Sequence, residues 1–98
     1  MTKLEELYTA LLILKLGGTF SNAYGLCRFL SRRFEIFECT EVINDLISHD
    51  YVTCISMEGV KQFFITQKGE DVVNNNRYRV VELLKKLFPK ELELIETL

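Results

Sequence analysis

The hydrophobic pattern of the chain changes its period near residue 50, and this change limits the possible folds more than any other feature. Upstream, apolar residues at helical spacing predict the buried face of a helix over about 38–49. These residues are Val42, Ile43, Leu46 and Ile47. Downstream, residues 51–56 and 61–66 are rich in β-branched and aromatic side chains, which favour strands. Because a glycine-containing turn separates the two runs, they predict a hairpin with its tip at 56–60.

Two helical patterns precede this region. Residues 3–16 are apolar around most of the helix surface, which predicts a helix that is buried on several sides. Residues from about 22 to 33 predict a second helix, which Ser21 or Asn22 is suited to cap. Residues 19–20 between the two helices predict a very short strand.

Helical patterns also follow the hairpin. Thr66 is suited to cap a helix over 67–76, and the asparagines at 74–76 predict that its end frays or forms a joint. A last helix is expected from about residue 78, with Pro89 kinking or restarting it. The predicted fold is therefore mainly α-helical with a small β-hairpin, in a chain of 98 residues that has the length of one globular unit.

Composition argues against several classes of function. The net charge of −2 and the pI of about 5.4 are unlike the strongly basic balance of dedicated nucleic-acid domains, although a local basic patch is compatible with them. We expect no membrane span and a cytoplasmic location, because Lys15 and the following glycines end the N-terminal apolar run early. We also expect no enzyme activity, since no nucleophile, acid and oxyanion constellation stands out.

The chain contains three cysteines, Cys27, Cys39 and Cys54, without a paired C-x-x-C spacing. This spacing is not typical of a zinc site or of a disulfide framework. We expect the cysteines to act as small apolar residues and expect no metal or cofactor. The lone His49 is predicted to cap the end of a helix. Phe63 and Phe64 are adjacent in a strand, so one of them should face outward.

Three segments resemble the winged helix-turn-helix superfamily. Residues 34–37 form a short connection between the second and third helices. Residues 42–52, VINDLISHDYV, are similar to the exit from the recognition helix into the first wing strand, with Asp50 in place of the usual glycine. Residues 64–69, FITQKG, are similar to the end of the second wing strand. The resemblance covers about 4–76 and is nearest to PadR-like and related small bacterial regulators. It implies a winged-helix domain over 1–76 and a helical extension over 77–98.

The resemblance implies a transcriptional regulator that binds double-stranded DNA, with the third helix in the major groove and the wing tip at 57–59 on the backbone. The implied base-reading residues are Thr40, Glu41, Asn44, Asp45 and Ser48. The implied phosphate contacts are Arg28, Arg32, Arg33 and Lys61. However, no Lys or Arg lies between Arg33 and Lys61, and carboxylates repel phosphate. The alternative is a winged-helix protein–protein interaction or dimerisation module that does not bind DNA.

The terminal helices predict a homodimer, because their apolar faces exceed what one core contact needs. The candidate interface consists of Leu4, Leu7, Leu11, Leu14, Leu84, Leu87, Phe88 and Ile95. The alternative is that the two terminal helices pack on each other within one chain.

Overall fold

A computed structural model describes residues 1–16 and 23–98 of the chain. It is mainly helical with one two-stranded antiparallel hairpin. The elements are α1 (Lys3–Lys15), α2 (Ala23–Phe34), α3 (Cys39–Ser48), β1 (Val52–Met57), β2 (Val60–Ile65), α4 (Gln67–Leu87), a 3-10 turn (Pro89–Glu91) and α5 (Leu92–Ile95). The strand expected at 19–20 and the caps expected at Ser21 or Asn22 lie outside the described residues. No helix in the described part of the chain is long and apolar enough to cross a bilayer.

Helix α1 is the centre of the core. A capping box starts it, since the Thr2 hydroxyl accepts from the Glu5 amide and the Glu5 carboxylate accepts from the Thr2 amide. The second of these bonds lowers the pKa of the Glu5 carboxyl. The helix packs against α3, α4 and β2, which confirms that it is buried on several sides. Its fully covered apolar residues are Leu7, Ala10, Leu11, Leu12 and Ile13.

The packing of α1 within the chain corrects the expected dimer interface. Four of its eight candidates lie in the core of this single chain, namely Leu7, Leu11, Leu84 and Ile95. Leu14 and Phe88 are partly buried against the same core. Leu4, at 52% exposure, and Leu87, at 45%, remain on the surface. The terminal helices therefore cover each other, because α4 lies along α1 and places its apolar face there.

Helix α3 ends where the chain turns into the hairpin. The Tyr51 amide donates to the Leu46 carbonyl oxygen and the Asp50 amide donates to that of Ile47, both at 3.0 Å. This pair of bonds is the Schellman pattern. It places Asp50 at φ 61°, the left-handed region that favours glycine.

The hairpin is tighter than the sequence predicts. Its strands run one residue closer to the tip, and a two-residue turn of Glu58 and Gly59 joins them with φ of 51° and 80°. Positive φ at both positions is the pattern of a type I′ turn, which matches the twist of the strands. At the other end, the Thr66 amide donates to the Tyr51 carbonyl oxygen at 3.0 Å and links β2 back to the exit from α3.

Helix α4 corrects the expected joint at the asparagines. It continues without a break through 74–76, and so the domain boundary expected between residues 76 and 77 falls inside one helix. Val73, Val80 and Leu84 are buried on its inner face. Burial of this face outweighs the helix propensity that each asparagine loses, about 0.5 kcal/mol. The side chain of Asn76 also bonds locally, since its amide nitrogen donates to the Val72 carbonyl oxygen at 2.8 Å.

The cysteines differ from the expectation that all three act as small apolar residues. A disulfide joins Cys27 to Cys39, with their Cα atoms 5.3 Å apart, and Cys54 is free. The sequence does not reveal this pair, because Cys27 and Cys39 meet through the packing of α2 on α3 and not through a recognisable spacing.

Candidate functional site

A groove of about 270 Å³ lies between α2, α3 and the inner face of the hairpin. We call it the hairpin groove. The side chains that line it come from all three elements. They are Ala23, Tyr24, Cys27, Thr40, Ile43, Asn44, Ile47, Cys54, Lys61 and Phe63.

The register of the hairpin decides which strand residues face the groove. Cys54 pairs with Phe63 and Ser56 pairs with Lys61, so these four side chains share one face of the ribbon. Phe63 is partly buried against the core and Phe64, on the other face, is exposed. This arrangement confirms that one of the two adjacent phenylalanines faces outward.

Three polar side chains of the groove come from α3 and β2. Thr40 and Asn44 are four residues apart on α3, and therefore lie on the same side of the helix. Both are exposed, as is Lys61. Among residues 1–16 and 23–98, the side chains that line the groove include this lysine and no carboxylate. The groove therefore combines a positive charge, hydrogen-bonding groups and an apolar floor.

The carboxylates of α3 are directed away from this groove, towards α1. The Lys3 ammonium forms an ion pair with Glu41 and lies 3.7 Å from an Asp45 carboxylate oxygen. The hydrogen bond from Lys3 lowers the pKa of the Glu41 carboxyl, and the same bond raises the pKa of Lys3. Glu41 and Asp45 were expected among the base-reading residues, but they do not line the groove that Thr40 and Asn44 line.

The last turn of α3 is occupied by capping bonds. The His49 ring nitrogen Nδ1 lies 2.8 Å from the Asp45 carbonyl oxygen, and His49 is the C-cap residue. This confirms the predicted cap. The Ser48 hydroxyl donates to the same carbonyl oxygen at 3.1 Å, and Ser48 is not among the residues that line the groove.

Arg32 and Arg33, two of the expected phosphate contacts, do not line the hairpin groove. Arg32 and Arg33 line a second groove, formed with the end of α4 and the turn at Pro89. An Arg33 guanidinium nitrogen lies 3.0 Å from a carboxylate oxygen of Glu91, so that charge is already paired. The structure therefore groups Lys61 with Thr40 and Asn44, and it places Arg32 and Arg33 at a different surface.

Helix α2 contributes a residue that the sequence reasoning did not single out. Tyr24 is 74% exposed and lines the hairpin groove. Arg28 and Arg32, also exposed, follow it at intervals of four, so the three side chains form one stripe along α2. That interval is visible in the sequence and could have identified Tyr24. Arg28 follows Tyr24 by one turn in this stripe and comes directly after Cys27, which lines the groove.

The exposure of Ile47 also differs from the prediction. It was predicted to point inward with Val42 and Leu46, but it is 36% exposed and lines the groove. It lies three residues beyond Asn44, at the outer edge of the apolar stripe, where the hairpin does not cover it fully.

Within residues 1–16 and 23–98, no group of three or more His, Cys, Asp or Glu side chains is arranged to hold a metal ion. No protein-family model, curated protein or solved structure matches this chain significantly.

Proposed function

We propose that this chain is a winged-helix DNA-binding protein that acts as a transcriptional regulator. In this proposal α3 enters the major groove and the hairpin is the wing. The observation that carries the proposal is the composition of the hairpin groove, in which Thr40, Asn44 and Lys61 lie together, with no carboxylate among the described side chains that line it.

The dimensions and chemistry of α3 support this role. A helix of 10 residues is about 15 Å long, and the major groove is about 12 Å wide and admits one helix. The carboxamide of Asn44 has the donor and acceptor needed for the N6 and N7 atoms of adenine. The Thr40 hydroxyl can bond to a base edge of either kind, and its methyl group suits thymine.

The charges of the proposed interface come from two elements. Lys61 approaches phosphate from the hairpin and Arg28 from α2. Lys3 offsets the charges of Glu41 and Asp45, which reduces the repulsion that an acidic recognition helix exerts on phosphate. Base reading is thereby assigned to Thr40 and Asn44, and phosphate contact to Lys61 and Arg28.

Binding of a mixed pool of fluorescent duplexes tests this function. We expect binding at about 50 mM salt that weakens steeply towards about 200 mM, because released counterions drive it. Lys61→Ala and Arg28→Ala should each weaken binding on all sequences and reduce the salt slope by about one. Lys86→Ala is the matched control, since it removes an exposed charge from the end of α4, outside the residues that line the groove. Absence of binding at low salt contradicts the proposal.

A second candidate function is a protein–protein interaction module that forms a homodimer through the hairpin. The outer face of the hairpin carries Ile55, Met57, Val60 and Phe64, all exposed. The other two residues on this face, Thr53 and Gln62, are also uncharged. Contiguous exposed apolar surface of this kind is typical of contact sites.

The mass of the particle in solution tests the second candidate. Light scattering should give a dimer, and Phe64→Ser should return it to a monomer. Tyr78→Ser, which removes an exposed aromatic ring from α4, outside the hairpin, is the matched control and should leave the dimer intact. A monomer at all concentrations contradicts this candidate.

A further inference from the structure

The covalent link between α2 and α3 lies at the hairpin groove. Cys27 is in the middle of α2 and lines the groove, and Cys39 is the first residue of α3. The disulfide therefore fixes the distance between two walls of the groove at the turn that carries Thr40. Cys54, the free cysteine, lines the same groove from the hairpin.

The two linked cysteine residues differ in their exposure to solvent. Cys27 is partly exposed, whereas Cys39 is only 4% exposed. An external thiolate therefore reaches Cys27 more readily, and Cys39 becomes the leaving group. The N-terminus of α3 stabilises negative charge on the Cys39 sulfur, so access and electrostatics favour the same direction of attack.

The first turn of α3 depends on this link more than the rest of the helix does. Its N-cap residue, Glu38, makes no side-chain capping bond. Further along, Val42 and Leu46 are buried in the core and hold the helix independently. Cleavage of the disulfide is therefore expected to loosen the turn around Thr40 while the fold persists.

We propose that the Cys27–Cys39 disulfide is a reversible redox switch that sets the shape of the hairpin groove, and that a dithiol reductant is its reaction partner. One thiolate of the dithiol attacks the sulfur of Cys27, the bond to Cys39 breaks, and the Cys39 thiolate takes up a proton. The second thiol of the dithiol, as a thiolate, then attacks the mixed disulfide and releases Cys27, which is protonated. Two electrons pass to the protein, and the dithiol leaves as its own disulfide.

Cys54 reports on the groove independently of any DNA binding. It is the only free thiol both in the oxidised protein and in the double variant Cys27→Ser with Cys39→Ser, which imitates the reduced state. We expect the rates at which iodoacetamide alkylates Cys54 in these two proteins to differ by about threefold or more, because local opening controls access to a partly buried thiol. The variant with alanine at both positions controls for the hydroxyl groups and should behave like the serine variant. Equal rates in the oxidised protein and the double variants overturn the proposal.

The Cys54→Ser variant tests the chemistry of the switch. Dithiothreitol should expose two alkylatable thiols without unfolding the protein, and removal of the reductant in air should hide them again. Glutathione should form its mixed disulfide with Cys27, as located by peptide mass mapping. Adducts on Cys39, or reduction that requires denaturant, overturn the proposal. If the disulfide opens and closes as described but the protein does not bind DNA, the result supports this inference. The absence of DNA binding then rejects only the proposed function.

Discussion

Gly69 shows how one residue fixes the junction between the hairpin and α4. Its amide donates to the Thr66 hydroxyl oxygen at 3.1 Å, which caps the helix. The Thr66 hydroxyl in turn donates to the Asp50 carbonyl oxygen. A Cβ atom on Gly69 would lie 2.2 Å from the Tyr51 carbonyl oxygen, and so no side chain fits between α4 and the exit from α3.

Gly69→Ala is therefore expected to destabilise the protein by about 3 kcal/mol, although alanine has the higher helix propensity. Urea unfolding followed by circular dichroism measures the change. Lys68→Ala, at the neighbouring exposed position, should cost less than about 1 kcal/mol, since it removes only a cation–π contact with Tyr51. A neutral effect of Gly69→Ala would contradict the close approach.

Asp50 offers a gain in stability at the same junction. Its φ of 61° is costly for a residue with a Cβ atom, and we expect Asp50→Gly to raise the free energy of unfolding by about 1 kcal/mol. Asp50→Ala keeps the Cβ atom and is the matched control, for which no gain is expected. Thermal unfolding compares the two variants, and an equal response would show that backbone strain is not the cause.

At the scale of elements, Lys3 ties the start of α1 to the acidic side of α3. Because the pKa of Glu41 lies below its ordinary value of 4.5, this contact stabilises the fold above that value and is lost as pH falls through the lowered pKa. Because the pKa of Lys3 lies above 10.5, its contribution is present below that value and is lost as pH rises through the raised pKa.

Lys3→Gln should return the pKa of the Glu41 carboxyl towards 4.5, as measured by an NMR titration of the side chain. Lys15→Gln is the matched control, because Lys15 pairs with Glu70 at 3.2 Å and not with Glu41. This substitution should leave the titration of Glu41 unchanged. If Glu41 titrates identically in the native protein and in Lys3→Gln, the ion pair does not form in solution.

The continuity of α4 gives another test at this scale. Asn75→Pro should cost about 3 kcal/mol, because proline removes a helix hydrogen bond and its ring clashes with the preceding turn. Asn75→Ala should be neutral or slightly stabilising, since Asn75 is exposed and alanine favours helices. Denaturant unfolding distinguishes a continuous helix from a joint at 74–76, where proline would be tolerated.

At the scale of the whole molecule, the C-terminal segment belongs to the same core as α1. Val80, Leu84, Ile95 and Leu98 are buried with the residues of the N-terminal helix. A chain truncated after residue 76 therefore exposes the apolar side of α1, and we expect it to lose cooperative unfolding. Thermal unfolding by calorimetry checks this expectation, and a cooperative transition would restore a separate unit over 1–76.

The sequence by itself determined α1, α2, α3 and the hairpin in their order, but it placed a joint inside what is one continuous helix, α4. The change of hydrophobic period near residue 50 located α3 and the hairpin to within one or two residues, because side-chain burial repeats with the backbone geometry of each element. The run of α1 residues also predicted burial on several sides, but it did not show whether α4 or a second copy provides the cover.

Only the tertiary structure decided what meets in space. The disulfide between Cys27 and Cys39, the pairing of Glu41 with Lys3, and the exposure of Ile47 all depend on how α1, α2, α3 and the hairpin pack. Local sequence fixes backbone propensity over a few residues, whereas contacts across 12 or more residues depend on the relative placement of whole elements. The groove and its proposed chemistry follow from that placement.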